Sequence, residues 1–289
     1  MPPDRADTAA TAKRSTPGAA PGRPGATTGG GALDRPRDPL PTHVQDLPPL
    51  PELYADVLHA GLRSLALDLA PDALAVIDAH VRLLLAWTEA INLTAIRVPA
   101  EVARLHVLDS LAAAPLLRDL GISRLLDLGS GGGFPGIPLA AALASDRTLL
   151  VDSVGKKVQF LRTVIRATGL ERRVAAEPER AEAVARDPRD REAWPAVTAR
   201  AVTGLAELVE LGLPLVAPGG VLIAWKRHPV EDELAAADGA MRALRAGRPR
   251  VVTAGVAGLE DHRLVVVPRG GPIDVRFPRD PAERRRRPL

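Results

Sequence analysis

The sequence predicts an α/β protein: a Rossmann-like, seven-stranded sheet covered by helices and preceded by a helical N-terminal subdomain. Three observations carry this. From Arg124 onward, short apolar runs alternate with amphipathic stretches, the pattern of a mostly parallel sheet covered on both faces. The first of these runs opens directly into a glycine-rich turn, Gly129-Ser130-Gly131-Gly132-Gly133. Ahead of it, residues 50–120 repeat apolar side chains at helical spacing.

In chain order, residues 1–48 are rich in Pro, Gly, Ala and Thr and have no hydrophobic period. Such a segment buries too little apolar area to offset its ordering entropy, so it is expected to be disordered. The helical subdomain is expected over 49–120. Leu53, Val57, Leu58, Leu62 and Leu65 form one stripe, and Leu74, Ile77, Val81, Leu84 and Leu85 a second behind Pro71. A third follows Pro99 with Val102, Leu105, Leu108 and Leu111. Proline suits the first helical turn, where its missing N–H has no partner to lose. The Rossmann-like domain is expected over 121–268. Its strands are placed at 125–128, 148–151, 174–176, 196–199 and 221–225, with helices near 135–144, 155–168, 179–185, 203–216 and 230–246. Two further strands near 250–256 and 263–268 have no helix between them and read as an antiparallel addition at the sheet edge. Residues 269–289 read as a basic C-terminal tail.

Composition narrows the chemistry. The chain has 289 residues, 46% hydrophobic and 2% aromatic, so its core is built of Leu, Val, Ile and Ala. It has no cysteine, which excludes disulfides, thiol nucleophiles and cysteine-bound metal. Residues 1–20 hold no apolar run of signal-peptide length. No stretch approaches the roughly 20 apolar residues of a membrane span, and the protein is expected in the cytoplasm. The net charge is +3, unevenly placed. Seven arginines against three acids put about +4 in residues 269–289.

The glycine turn is the sharpest chemical signal. Glycine tolerates positive φ and lets a ligand approach where a Cβ would clash. In this fold class, ligands bind at the C-terminal ends of the parallel strands. Two ligands compete. Gly131-x-Gly133-x-x-Gly136, with Asp152 ending the second strand, matches a dinucleotide pattern. Pro135 and Pro138, however, deplete the N–H groups a diphosphate needs. A phosphate-free nucleoside such as S-adenosylmethionine needs only close backbone approach and a carboxylate for its ribose, and Gly129-x-Gly131 with Asp152 meets that need. Asp152 also reads as a cap for the helix that follows it.

Beyond the turn, the sequence resembles the bacterial 16S ribosomal RNA guanine-N7 methyltransferase G family, also called glucose-inhibited division protein B. The shared motifs are Trp87-x-x-x-Ile91-Asn92-Leu93-Thr94-Ala95-Ile96-Arg97, His106-x-x-Asp109-Ser110 and the Asp127 to Pro138 turn. Val151-Asp152-Ser153-Val154-Gly155-Lys156-Lys157, Phe160-Leu161 and Thr198-Ala199-Arg200-Ala201-Val202 continue the match. Ala224-Trp225-Lys226 and the tail Phe277-Pro278-Arg279 … Arg287-Pro288-Leu289 complete it. The resemblance covers residues 50–289. It implies the S-adenosylmethionine-dependent methyltransferase fold, a ribosomal RNA or small-subunit substrate, and a cofactor held by Gly129, Gly131, Phe134, Asp152, Ser153, Val154, Ala181, Glu182 and Arg200. The extra head, the charged segment 186–194 and Arg227 after Lys226 depart from the family.

Guanine N7 carries an in-plane lone pair and no proton, so alignment suffices and no essential acid or base is expected. His106 and Asp109, three residues apart on one helix face, are expected to tie the helical segment to the sheet, with a contact to RNA as the alternative. Arg200 and Lys226, ending adjacent strands, are expected to clamp phosphate or the O6 and N7 edge of guanine. An Arg200→Ala change is then expected to abolish activity with the fold intact. The arginine run 284–287 is expected to be solvated and to neutralise phosphates, with Arg5, Lys13, Arg14 and Arg23 of the head as a weaker tether. No metal is expected, and the protein is expected to be a monomer. A methyltransferase of small molecules or proteins, a nicotinamide-dependent oxidoreductase and a non-enzymatic RNA-binding module are the competing readings.

Overall fold

Alternate residues along a strand point to opposite faces of its sheet, and here both faces are apolar. On β5 (Val216–Arg227), Val221, Ile223 and Trp225 join one buried cluster, and Leu222 and Ala224 the other. The same split divides Leu125 from Leu126 on β1 (Arg124–Leu128). A sheet covered on both faces needs near-continuous apolar strands, which is why the short runs were legible as strands. The computed structural model describes residues 40–289. Its sheet has seven strands in the order β3-β2-β1-β4-β5-β7-β6. The others are β2 (Arg147–Val151), β3 (Val174–Glu177), β4 (Trp194–Arg200), β6 (Arg250–Thr253) and β7 (His262–Pro268). Strands β1 to β5 pair in parallel. Strand β7 runs antiparallel to β5 and β6, so the terminal pair is the antiparallel addition that the missing crossover helix predicts. Strand order reverses between β1 and β4, which opens a crevice at their C-terminal ends.

Helices α1 (Glu52–Ser64) and α2 (Pro71–Thr88) lie on one face together with α6 (Gly136–Ala142) and α7 (Gly155–Ala167). Leu58, Ile77, Val81 and Leu84 belong to the same buried cluster as Leu125, Leu150 and Ile223. The helical segment therefore shares the core of the sheet. The opposite face carries α8 (Ala181–Arg186), α9 (Leu205–Gly212) and α10 (Glu231–Ala243).

The run after Pro99 is helical with a widened middle: α3 (Pro99–Val102), a π-helical stretch Ala103–Leu108, then α4 (Asp109–Leu111) and α5 (Ala114–Asp119). A π-turn bonds i to i+5, so Val107 follows Val102 on the buried face while Leu105 is only half buried. The spacing expected for an ordinary helix had placed Leu105 there.

Two expectations are corrected. Residues 40–48, read as part of a disordered head, pack on α2. Arg82 donates to the carbonyls of Val44 at 2.8 Å and Pro48 at 2.9 Å, and Trp87 Nε1 to that of Pro41 at 2.7 Å. Residues 1–39, with Arg5, Lys13, Arg14 and Arg23, lie outside the described residues. The C-terminal segment, read as a solvated tail, docks on α8 and α9. Ile273 and Phe277 enter the second core cluster, and α11 (Pro281–Arg286) starts at Asp280, whose side chain accepts from Ala282 N. The charged segment 186–194 helps to hold it: Arg186 donates to Pro278 O, and Arg191 to the carbonyls of Phe277 and Asp274.

Candidate active site

The turn after β1 is fixed by two carboxylates. Asp127 on β1 is fully buried, accepting from Thr198 Oγ1 at 2.8 Å and Gly136 N at 3.2 Å. Burial pushes its carboxyl up to about 6, with these hydrogen bonds pulling the other way. Asp152, just past β2, accepts from Gly131 N at 2.9 Å and Val154 N at 2.8 Å, with Lys157 Nζ 4.0 Å away. It therefore clips the turn to the start of α7. Gly129 (φ +67) and Gly133 (φ +91) are required by close approach as well as by conformation. A Cβ on Gly129 would lie 2.6 Å from Val202 Cγ2, and one on Gly133 2.7 Å from His80 Nε2.

The N-terminus of α6 offers little to a diphosphate. Pro135 and Pro138 lack N–H groups, Gly136 N is taken by Asp127, and Ile137 N by Gly133 O at 2.9 Å. Such sites bind phosphate through free N–H groups at this end of the helix.

A cavity of about 340 Å³ opens beside the turn. It gathers five of the residues expected at the cofactor: Gly129, Asp152, Ser153, Ala181 and Glu182. The other four lie outside its wall. Gly131 supplies the N–H held by Asp152. Val154 is exposed beside the start of α7. Phe134 is buried, its ring 4.5 Å from that of His80 and 4.9 Å from that of His106, with Arg200 Cζ 5.4 Å from its centroid. Arg200 lines a second cavity of about 450 Å³, with His106, Asp109, Trp225 and His262. The chain between the two is the segment 200–203, in which Ala201 takes a left-handed φ of 56. That conformation costs a non-glycine residue about 1–2 kcal/mol.

Arg200 is committed to internal partners. Its Nη1 donates to Asp109 Oδ2 at 2.9 Å and Leu105 O at 3.1 Å, and its Nη2 to His106 Nδ1 at 3.1 Å. A guanidinium only donates, so His106 Nδ1 carries the lone pair and Nε2 the proton, which goes to Thr94 Oγ1 at 2.7 Å. Burial, reinforced by the Arg200 charge, lowers His106 to about 4, so it is a neutral ring. Asp109 Oδ1 accepts from His262 Nδ1 at 2.8 Å, and the Asp109 carbonyl from Trp225 Nε1 at 2.8 Å. The helix after Pro99, β4, β5 and β7 thus meet at one residue, Asp109, with β4 and β7 on its carboxylate and β5 on its backbone carbonyl, in keeping with the expected tie between helices and sheet. Lys226 is corrected: rather than facing outward as a clamp, it donates to Thr203 O at 2.9 Å and pairs with Glu233.

His80 lies fully buried under the turn, Nε2 donating to Gly132 O at 2.6 Å. Burial lowers it to about 4. Sequence reasoning missed His80, His262, Glu207 and the inward role of Arg284. His80 sits on the apolar stripe of α2, three residues after Ile77, and that placement was its one available signal.

Comparison with known proteins identifies the family. The sequence model of the family described as rRNA small subunit methyltransferase G (GidB) matches residues 74–262. The ribosomal RNA small subunit methyltransferase G of Roseiflexus castenholzii is 41% identical over 204 residues, covering 71% of this chain and 86% of that protein. The protein of the same name from Stenotrophomonas maltophilia K279a is 43% identical over 189 residues, covering 65% and 84%. That of Pelotomaculum thermopropionicum is 35% identical over 238 residues, covering 82% and 99%. A seven-stranded sheet with its glycine turn at the switch point and a match through most of the chain lead to one assignment: the chain belongs to the rRNA small subunit methyltransferase G (GidB) family.

Proposed function

We propose that this chain transfers a methyl group from S-adenosylmethionine to N7 of a guanine in 16S ribosomal RNA. The observation that carries the reading is the cavity at the switch point. It offers the backbone at Gly129 and the Asp152 carboxylate, while the neighbouring helix end has no free N–H for a diphosphate. The donor set fits the cofactor. Gly129 allows close backbone approach and Asp152 offers a carboxylate for a ribose, with Ser153, Ala181 and Glu182 beside them, and no phosphate has to be neutralised. The same absence of free N–H groups disfavours a nicotinamide dinucleotide.

When bound, the cofactor supplies an electrophilic methyl group. The Asp152 carboxylate would accept the ribose hydroxyls in exchange for part of its hold on the turn, while Ser153, Ala181 and Glu182 would border the nucleoside. Gly131 and Val154 shape this wall through their N–H groups on Asp152. The cavity lined by Arg200 and His106 would receive the base. Phe134, stacked on His106 and under Arg200, keeps both at fixed height beside it. His106, neutral and already hydrogen-bonded at both nitrogens, takes no proton, in line with a reaction that needs alignment alone.

A ribosomal substrate places the protein in the cytoplasm, and we take it to act as a monomer, which light scattering would test. Among the described residues, no helix is long and apolar enough to cross a membrane. The deciding experiment maps N7-methylguanine in small-subunit RNA from cells with and without the gene. Purified protein with labelled S-adenosylmethionine is then offered ribosomal RNA, protein and metabolite pools. Loss of one modified guanine in the deletion, and label in RNA alone, are expected. An unchanged map would refute the assignment.

A further inference from the structure

We propose that Arg284 is a positioning residue of the methyl-transfer site: from the C-terminal segment it ties Glu182 to Glu207 and so completes the wall of the cofactor cavity. The inference rests on the reading of that cavity given above.

Arg284 is 8% exposed. Its Nη2 donates to Glu182 Oε1 at 2.5 Å and its Nε to Glu207 Oε1 at 3.3 Å, while Nη1 holds its own segment through Arg279 O at 2.9 Å. Glu182 stands on α8, which follows β3, and Glu207 on α9, which follows β4. Both line the cavity that holds Gly129 and Asp152, as do Pro281 and Arg285. The contact continues across the cavity. Glu207 Oε2 accepts from Thr203 Oγ1 at 2.6 Å, next to the Val202 side chain that covers Gly129. Burial disfavours the charged form of Glu182, yet the Arg284 hydrogen bond and charge, together with a bond from its own backbone N–H and the Arg180 charge, outweigh it and hold the carboxyl below its ordinary value. Without Arg284, two neighbouring carboxylates lose their shared counter-ion, and like charges repel. The carboxylate of Glu182 then loses its fixed position beside the nucleoside.

The segment itself is anchored elsewhere. Glu210, buried on α9, accepts from Arg279 Nε at 2.8 Å and Nη2 at 2.7 Å. Phe277 and Ile273 sit in the core. Arg284 can thus be changed with the segment still docked.

The test is calorimetric titration of S-adenosylhomocysteine into the full chain and into Arg284→Ala and Arg284→Lys. Arg284→Ala is expected to raise Kd about tenfold, the loss of one charge-assisted contact. KM for S-adenosylmethionine should rise in step, with kcat at saturating cofactor nearly kept. Lysine should restore part of the affinity, since an ammonium keeps the charge but not the fork. RNA affinity and its salt dependence should not change. Equal Kd values in all three proteins would overturn the proposal, as would a change confined to RNA binding. Should Arg284→Ala melt early, Arg284→Lys carries the same comparison. If the unaltered chain fails to bind S-adenosylhomocysteine, the reading of the cavity fails instead, so the two failures are separable.

Discussion

Arg200 and Asp109, 91 residues apart in sequence, meet at 2.9 Å where the end of β4 touches the helix after Pro99. The Asp109 side chain is 3% exposed and that of Arg200 15%. This burial revises the expectation that Arg200→Ala leaves the fold intact. Removing one partner of a buried pair strands the other, at a cost of about 3–5 kcal/mol. His262 remains on Asp109 Oδ1 and should hold the loss near the lower end. Arg200→Ala is expected to be inactive and less stable by about 3 kcal/mol in urea unfolding. Arg200→Lys should recover part of the stability and little activity, because it cannot bridge Asp109, Leu105 and His106 together. An Arg200→Ala protein with unchanged midpoint and rate would remove both roles.

Asp152 is the second test. Its oxygens now serve Gly131 N and Val154 N, and a bound ribose would add charge-assisted bonds worth about 1.5–3 kcal/mol each. Asp152→Ala is expected to weaken S-adenosylhomocysteine binding by about tenfold to a hundredfold. Asp152→Asn, with one acceptor left, should fall between. Titration calorimetry reads both, and a Kd equal to that of the unaltered chain would detach Asp152 from the ligand.

The architecture was legible from sequence because the buried strands are apolar runs bounded by glycine, proline and charge: 125–128 became Arg124–Leu128, and 148–151 became Arg147–Val151. The glycine turn and Asp152 were legible because the turn demands positive φ and the strand end demands an explanation for its carboxylate. Side-chain partners distant in sequence were not. His262 reaches Asp109 across 153 residues and Arg284 reaches Glu182 across 102, and no local spacing encodes either. Of the four arginines read as solvated, Arg285, Arg286 and Arg287 are exposed and Arg284 alone turns onto the carboxylates of α8 and α9. The π-helical stretch was likewise hidden, since its apolar residues also fit an ordinary helix.

Acid should weaken the fold through its histidines. His80 and His106 are lowered by burial to about 4 in the folded chain, against about 6.5 when unfolded. Between those values the unfolded chain binds more protons, so stability present above about pH 6.5 is lost as pH falls toward 4. Asp127 acts in the opposite sense. Raised by burial to about 6, it is protonated in the folded chain where the unfolded chain has lost its proton. That stabilises the fold in acid and is lost as pH rises through 6. Two histidines against one carboxyl leave a net loss on acidification. Urea midpoints measured from pH 8 to 4.5 should fall below pH 6.5, and His80→Gln should flatten the decline. A single-turnover rate on RNA should show no histidine limb between pH 6.5 and 8, because His106 is neutral throughout. A midpoint that rises on acidification would mean that Asp127 dominates.

The packing under the glycine turn can be tested with a pair of matched substitutions. A Cβ on Gly136 would fall 2.3 Å from Leu150 Cδ2 and 2.8 Å from Asp127 Oδ2, whereas one on Gly155 would meet nothing within 4 Å. Leu150 and Asp127 are both fully buried, so neither can swing aside. Overpacking of this kind costs about 1–3 kcal/mol. It would also push on the carboxylate that holds Thr198 and the Gly136 N–H. Gly155 opens α7, where alanine limits the unfolded chain at no steric cost and is expected to stabilise by about 0.4–1 kcal/mol. Gly136→Ala should therefore lower the urea midpoint and Gly155→Ala raise it slightly. The opposite order, or two unchanged midpoints, would mean that the turn does not rest on β2 as tightly as Asp127 and Leu150 imply.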